Sequence, residues 1–270
     1  MLAVQNKMVL CGKVCIIAEV KATKIKRSID FVWGGFNELL WPGVCINCRE
    51  NIAESDNELC QDCWGELSFC VSGDYCRRCG RDVSKYAIFD GACPDCRDKE
   101  IHFDQMARSG IYGQSLQKMI LGFKNGRTEL DRMLGLLVNS ALQGGGFYED
   151  IDFFVPVPLH WRRRLVRGYN QSLVLAKKLK HPTAKINTDL VRIRYTKAQP
   201  AMVSPAARAR NVAGAFAVRY RHSFAGAKIC LVDDIKTTGA TLNECARTLK
   251  EAGASRVFAL VLAVAGQNVS

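Results

Sequence analysis

A short segment between a predicted strand and a predicted helix combines two adjacent acids with three threonines and a glycine. It reads Asp233-Asp234-Ile235-Lys236-Thr237-Thr238-Gly239-Ala240-Thr241 and follows the apolar run Ile229–Val232. Ligands of open α/β sheets bind beyond the carboxyl ends of the strands. Successive backbone N–H groups in such a turn, together with the helix N-terminus, attract a phosphate. We therefore predict a phosphate site here.

Each residue type in this segment suits a phosphorylated sugar. Gly239 allows the backbone to approach a phosphate closely, and the hydroxyls of Thr237, Thr238 and Thr241 can donate further hydrogen bonds. Asp233 and Asp234 can accept hydrogen bonds from vicinal sugar hydroxyls or face a metal-bound diphosphate. Either acid alone would be read as a helix cap, whereas the complete run favours a phosphate site.

Eight of the 13 cysteines form four Cys-x-x-Cys pairs. The pairs are Cys45/Cys48, Cys60/Cys63, Cys76/Cys79 and Cys93/Cys96. Tetrahedral Zn²⁺ takes four thiolates, and each pair supplies two, so we expect two structural zinc sites. Pairing in sequence order is one arrangement, and a crossed one, first pair with third and second with fourth, stays open. Four protein ligands leave no open position, which favours a structural or docking role over catalysis.

Three of the remaining cysteines are not expected to bind metal. Cys230 and Cys245 fall on apolar faces and are expected in the core, and Cys70 is not expected to be a ligand.

The four Cys-x-x-Cys pairs imply that the protein resides in a reducing compartment. The apolar stretch from Met8 to Val20 is interrupted by charges and does not read as a signal peptide. We expect a cytoplasmic protein without membrane insertion.

Positive charge is concentrated in one part of the chain. The net charge is +12, while the stretch from Val157 to Arg221 alone has fifteen Lys or Arg against one acid, so 15 − 1 = +14. A basic block of this kind points to anionic partners such as phosphates, diphosphate or nucleic acid. A solvated basic face is the alternative interpretation.

Apolar strands alternate with helices in the C-terminal part of the chain. Strands are predicted at Ala107–Tyr112, Phe153–Val157, Ile229–Val232 and Val257–Val264, and helices around Leu116–Phe123, Leu130–Ala141, Asn170–Lys180 and Leu242–Leu249. This pattern predicts an α/β fold with a parallel sheet covered on both faces. We divide the chain into a poorly structured extension (1–28), a helix at 29–41 plus a double zinc-ribbon module (29–100), and the α/β domain (101–270).

The chain resembles the type I phosphoribosyltransferases and, more closely, the ComF family of competence-associated proteins. Beside the segment at Asp233 and the cysteine pairs, the resemblance rests on four further stretches. These are Phe123-Lys124-Asn125-Gly126-Arg127, Val155-Pro156-Val157-Pro158-Leu159-His160, Arg167-Gly168-Tyr169-Asn170-Gln171, and the run from Arg208 to Phe216. The resemblance covers about residues 36 to 265 and implies a type I phosphoribosyltransferase-like sheet behind a zinc-ribbon module.

The resemblance also implies roles for individual residues. Asp233 and Asp234 would hold the ribose hydroxyls of phosphoribosyl diphosphate, and Thr237 to Thr241 its 5-phosphate. The turn containing Pro158 and His160 would meet the diphosphate, with Mg²⁺ as its counter-ion. Basic side chains would stabilise the departing diphosphate, and the catalytic candidates are Lys124, Arg164 and Arg208. His160 could be a general base, although a lone histidine is more often structural.

Two functions from different classes are compatible with these observations. The first is transfer of a phosphoribosyl group in a protein linked to DNA uptake or competence. The second is a non-catalytic accessory protein that binds single-stranded nucleic acid under the control of phosphoribosyl diphosphate, and a regulator that senses this ligand is a third. For nucleic acid, Trp161 and Tyr169 interleave with arginines as stacking candidates, although either could be a core residue. Other DNA-uptake proteins are further candidate partners.

Overall fold

A computed structural model describes residues 43–52, 57–196, 204–219 and 224–266. The extension predicted at 1–28 and the helix predicted at 29–41 lie outside the described residues. Within the described ranges, no helix combines the length and the apolar character that crossing a membrane requires.

The cysteine-rich part contains one α-helix and a short hairpin, connected mostly by turns. Strands β1 (Gly43–Val44) and β2 (Asn51–Ile52) form an antiparallel hairpin, and helix α1 spans Gln61–Val71. Cys60 caps α1, because its sulfur accepts a hydrogen bond from the backbone N–H of Cys63. Few regular elements form here, as expected where ligand bonds organise the chain.

A five-stranded parallel sheet forms the centre of the rest of the chain. In spatial order its strands are β3 (Gln105–Ile111), β9 (Arg256–Val264), β8 (Lys228–Lys236), β4 (Phe153–Pro156) and β5 (Lys185–Ile186). All of its neighbouring strands run parallel. The parallel sheet predicted from the apolar runs is therefore confirmed.

Helices cover both faces of this sheet. The α-helices of this part of the chain are α2 (Gln114–Lys124), α3 (Asp131–Gly144), α4 (Trp161–Arg167), α5 (Gln171–Lys178), α6 (Pro205–Val212) and α7 (Ala240–Glu251), of which α4 is largely exposed. Cys230 and Val232 of β8 point into a core shared with α2, α3 and α5, whereas Ile229 and Leu231 point into a core shared with α7. A strand buried on both faces needs a continuous apolar run, as β8 has.

Several elements differ from the sequence-based expectation, and α1, α6 and β5 were not predicted. Strand β8 continues to Lys236, because its partner β9 is equally long and pairs with it as far as Val264. Helix α4 was not predicted, since its side chains are largely exposed and leave no apolar periodicity. The two-stranded antiparallel sheet of β6 (Leu190–Arg192) and β7 (Phe216–Val218) was also missed.

Candidate functional site

Asp233 and Asp234 lie near the carboxyl end of β8 and take part in different contacts. Oδ1 of Asp233 accepts hydrogen bonds from the Ser172 hydroxyl and from the backbone N–H of Asp234, each at 2.9 Å. Oδ2 of Asp234 lies 2.9 Å from Nζ of Lys124, in an ion pair whose carboxylate is 13% exposed. The first turn of α5 and the end of α2 therefore meet at this pair of acids.

The two carboxyl groups differ in their electrostatic setting. Burial raises the pKa of Asp233 to about 7, and the neighbouring charge of Asp234 acts in the same direction. Hydrogen bonds from the Asp234 backbone and from Ser172 lower the pKa but are outweighed. The charge of Asp233 therefore changes near neutral pH. Buried carboxyl groups with such pKa values cluster at functional sites, although structural networks also produce them.

The segment Thr237–Thr241, which we call the threonine loop, connects β8 to α7. Gly239 has φ of +84°, in the left-handed region that glycine adopts without strain, and it is the N-cap of α7. The Gly239 carbonyl accepts the first helical hydrogen bond, from Asn243 N at 2.8 Å. Together with Asp233, residues 235–242 line one small concave surface. The threonine loop thus has the strand–turn–helix context that a phosphate site requires.

A second turn lies beside the acids on the neighbouring strand. Val157, directly after β4, donates its N–H to the carbonyl of Val232, the residue before Asp233, at 2.9 Å, so the Pro158–His160 turn begins beside the acid pair. His160 is buried and its Nδ1 accepts from the N–H of Arg162 at 3.3 Å, so that it caps α4. Burial and the nearby arginines lower its pKa. This contact gives His160 a visible structural role.

The basic candidates are distributed over several elements. Lys124 contacts the acid pair directly, whereas Arg164 is exposed on α4 and Arg208 is half-buried on α6, which packs against α7. Arg163, rather than Arg164, is tied to a neighbouring segment, since its guanidinium donates to the Thr196 carbonyl at 2.9 Å. The site therefore joins Lys124 to the acids but places Arg164 on the surface.

Sequence reasoning missed Ser172 and Arg192 near the acids. Burial, then the charge of Arg163, lowers the pKa of Arg192, and Asp233 acts on it in the opposite direction. Its Nε is buried without a hydrogen-bond partner in the described structure. Ser172 could have been found as the neighbour of the Arg167–Gln171 motif, but nothing local marks Arg192.

An exposed cluster of aromatic and arginine side chains lies at the start of α4. The guanidinium of Arg162 lies 5.3 Å from the ring centre of Trp161 and 5.5 Å from that of Tyr195. Both aromatic residues are more than half exposed, at 58% and 52%. Tyr169, the other predicted stacking residue, instead packs on Phe123 and donates its hydroxyl to the Phe123 carbonyl. Tyr169 is thus a core residue.

The eight paired cysteines form two tetrads in sequence order. Cys45, Cys48, Cys60 and Cys63 form the first tetrad, and Cys76, Cys79, Cys93 and Cys96 the second, with all sulfurs of each set within 4.8 Å of one another. This resolves the pairing in favour of the sequential arrangement. As predicted, Cys70 belongs to neither tetrad, and Cys230 and Cys245 are fully buried.

The sulfur positions match the geometry of zinc. Zn–S bonds of about 2.3 Å in a tetrahedron place sulfurs about 3.8 Å apart. The distances are 3.7 Å for Cys48–Cys60, 3.8 Å for Cys76–Cys96 and 3.5 Å for Cys79–Cys93. A hydrogen bond from Cys79, together with backbone N–H groups, lowers the pKa of Cys76 to about 4, against the effect of burial. Both tetrads therefore suit structural zinc.

Comparisons with known proteins match both parts of this architecture. The Double zinc ribbon domain matches residues 36–97, and the Phosphoribosyl transferase domain matches residues 168–269. Competence protein F of Haemophilus influenzae is 31% identical over 220 residues, covering 79% of this chain and 93% of that protein. Competence protein ComFC of Bacillus subtilis is 26% identical, with 82% and 92% covered. DNA utilization protein YhgH of Escherichia coli is 29% identical, with 80% and 94% covered.

Proposed function

The chain belongs to the family of competence protein F, and on that premise we propose that it binds phosphoribosyl diphosphate with Mg²⁺ at the acid pair and the threonine loop. One observation carries the proposal. Asp233 and Asp234 lie near the end of a parallel strand, and the loop that follows turns through Gly239 into the N-terminus of α7. A sugar diol and its 5-phosphate need such groups side by side.

The described side chains suggest a division of labour at this site. Asp233 and Asp234 each use one described side-chain contact on a carboxylate oxygen, to Ser172 and to Lys124, and the other oxygens remain to accept from the ribose hydroxyls. Backbone N–H groups and hydroxyls of Thr237 to Thr241 would hold the 5-phosphate. The turn at Pro158 to His160 borders the place where the diphosphate would lie.

Magnesium fits this donor set, since Mg²⁺ is held by one or two carboxylates plus substrate phosphates. When bound, it would neutralise charge on the diphosphate. Lys124 lies at the acid pair, and Arg192 and Arg163 lie beside the Pro158–His160 turn. These cations would stabilise the negative charge that develops as the bond to the anomeric carbon breaks, which is the main contribution such sites make to catalysis.

Transfer of the phosphoribosyl group is the activity we propose for this site, and the names of the relatives suggest a role in DNA uptake or competence. The test is release of diphosphate from phosphoribosyl diphosphate and Mg²⁺ in the presence of a panel of nucleobases and nucleic acids. Lys124→Ala should lower the rate about tenfold or more, the size expected for removal of one charged contact. Lys118→Ala, a surface change on the same helix, should leave it unaltered. If the purified protein binds the ligand but releases no diphosphate with any acceptor of the panel, transfer is ruled out.

A second candidate function is binding of single-stranded DNA, and the exposed cluster of Trp161, Arg162 and Tyr195 favours it. Bases stack on exposed aromatic rings, and arginines beside them contact the phosphate backbone. A similar pair, Arg97 lying 5.8 Å from the ring centre of Phe89, borders a cleft of about 400 Å³ near the second tetrad. Relatives named for competence or DNA utilization agree with such a partner.

Stacking can be tested with two tryptophans of similar exposure. Trp161→Ala should weaken binding of a fluorescent oligonucleotide by about 1–3 kcal/mol, the usual contribution of one stacked base. Trp64→Ala removes a ring that is 45% exposed on α1, away from the cluster, and should have no effect. Equal affinities of the two variants would contradict this surface as the binding site.

A further inference from the structure

Arg127 connects the cysteine-rich part to the end of α2. Its Nη1 donates to the carbonyl of Asn47 at 3.3 Å, and its Nη2 donates to the carbonyl of Ile46. Both carbonyls belong to the turn Cys45–Cys48, which carries two ligands of the first tetrad and which we call the metal turn. Nε of Arg127 donates to Glu129 at 2.9 Å, so all three nitrogens of the guanidinium have partners.

The turn that carries Arg127 has one defined backbone conformation. Gly126 has φ of +93°, its N–H donates to the Phe123 carbonyl at 3.3 Å, and Arg127 N donates to the Gly122 carbonyl at 3.1 Å. These are the two hydrogen bonds of a Schellman motif at a helix C-terminus. Lys124 is the last residue of this helix. The motif therefore fixes Lys124 relative to Arg127.

Gly122 leaves the room that the Arg127 side chain occupies. A Cβ added at Gly122 would lie 3.1 Å from Cδ of Arg127 and 2.9 Å from Cδ1 of Leu130. Such contacts are closer than packed carbon atoms normally allow, so the arginine would have to move. The path of the side chain across α2 thus depends on a residue without a Cβ.

The metal turn is also held at the start of α2. Nδ2 of Asn47 lies 3.3 Å from Sγ of Cys63 and 2.9 Å from the hydroxyl of Ser115, and Ser115 donates to Glu66 at 2.6 Å. Asn47 and Ser115 are both buried. Because Ser115 is near the first residue of α2 and Arg127 follows its last turn, the first tetrad is attached to both ends of this helix.

We infer that Arg127 is a positioning residue through which the first tetrad holds Lys124 against Asp234. The path consists of direct contacts: metal turn, Arg127, Schellman motif, Lys124 and the carboxylate 2.9 Å from its Nζ. The importance of Arg127 for substrate binding rests on the proposed function of Asp234. The link between the metal turn and Lys124 does not depend on that function. Loss of Arg127 should weaken metal binding at the first tetrad and, at the same time, release Lys124 from its contact with Asp234.

The test compares Arg127→Met, which keeps the length and removes the donors, with Arg132→Met. Arg132 is an exposed arginine on α3 that pairs with Glu58 at 2.9 Å and so also contacts the cysteine-rich part. Three quantities are measured on the zinc-loaded protein: the rate of zinc loss to a chelator, the rate of reductive methylation of Lys124, and the dissociation constant for phosphoribosyl diphosphate. Arg127→Met should speed the loss of one of the two zinc ions, speed methylation, and raise the dissociation constant, each about tenfold. Arg132→Met should match the unaltered protein.

Arg127→Lys keeps the charge but cannot donate to both carbonyls in a fork, so it should shift all three quantities in the same direction by less. It carries the test if Arg127→Met does not fold. Wild-type values of zinc loss and methylation in Arg127→Lys, or in a folded Arg127→Met, would overturn the inference. If the unaltered protein does not bind phosphoribosyl diphosphate, the proposed function fails, while faster zinc loss and methylation in the variants would still support Arg127 as the positioning residue.

Discussion

The hydroxyl of Ser172 donates to Oδ1 of Asp233 across 2.9 Å, which links the first turn of α5 to the end of β8. The same oxygen accepts the backbone N–H of Asp234. These two donors favour the ionised carboxylate. Burial and the charge of Asp234 act more strongly in the other direction, so that the pKa of Asp233 rises from 3.8 to about 7.

This pKa predicts how stability depends on pH. Between about pH 4 and pH 7 the folded protein retains a proton on Asp233 that the unfolded chain has lost, so the free energy of unfolding falls as the pH rises through this window. Asp233→Asn removes the titration. In the absence of ligand, the margin by which the variant is more stable than the unaltered protein should grow by about 2–3 kcal/mol between pH 5 and pH 8.

Urea unfolding at pH 5, 6.5 and 8 in the presence of zinc measures this margin. Asp150→Asn is the control, because the hydrogen bond from Lys228 lowers the pKa of Asp150 and its charge is constant over this range. If the stability difference between Asp233→Asn and the unaltered protein depends on pH as little as that of Asp150→Asn, Asp233 does not titrate near neutral pH.

Two zinc ions per chain are expected, one for each tetrad. Cys60→Ser should reduce the zinc content to about one, since tetrahedral sites need all four ligands, and should destabilise the cysteine-rich part. Cys70→Ser is the control, because Cys70 is a buried thiol that belongs to neither tetrad and donates to the Gly113 carbonyl. Elemental analysis that finds equal zinc in the two variants would contradict the assignment.

Much of this architecture could be predicted, because the local sequence pattern directly reflects which side chains are buried. The apolar runs at Ile229 and Val257 are strands buried on both faces, and spacing alone identified all eight cysteines that form the two tetrads. The pairing of the tetrads could not be predicted, because Cys-x-x-Cys spacing is the same in either arrangement. It depends on how distant turns approach one another.

The remaining features depend on contacts between segments far apart in the chain. Arg127 and Ile46 are 81 residues apart, and no local sequence pattern predicts a contact between them. Helix α4 was not predicted as a helix, since Leu165 and Val166 are 75% and 88% exposed and no apolar face marks it. Tyr195 stands next to Arg162 only because the segment after β6 packs beside α4.

Neutralising three exposed arginines of α4 separates the two proposed ligands. Changing Arg162, Arg164 and Arg167 to Gln should weaken binding of single-stranded DNA of every sequence alike, because phosphate contacts do not distinguish bases. The slope of log affinity against log salt should shrink by about 0.7 for each DNA phosphate that the variant no longer neutralises. Fluorescence anisotropy at two or more salt concentrations gives both quantities.

The control removes the same charge elsewhere on the surface. It combines Lys118→Gln, Arg132→Gln and Lys177→Gln and should change the salt slope much less. If the arginines of α4 serve only the diphosphate, the triple variant will lose affinity for phosphoribosyl diphosphate and keep an unaltered salt slope with DNA. That outcome would exclude this face as the DNA-binding surface.

Calorimetric titration with phosphoribosyl diphosphate and Mg²⁺ tests the central claim most directly. Asp233→Asn combined with Asp234→Asn keeps the shapes of the side chains but removes the charges at the end of β8. Asp150→Asn combined with Asp152→Asn is the matched control, since these acids contact Lys228 at the opposite end of the same strand. We predict saturable binding by the unaltered protein and by the control, and none by the first double variant. Equal affinities of the two double variants, or no binding by the unaltered protein, would contradict the assignment of this site.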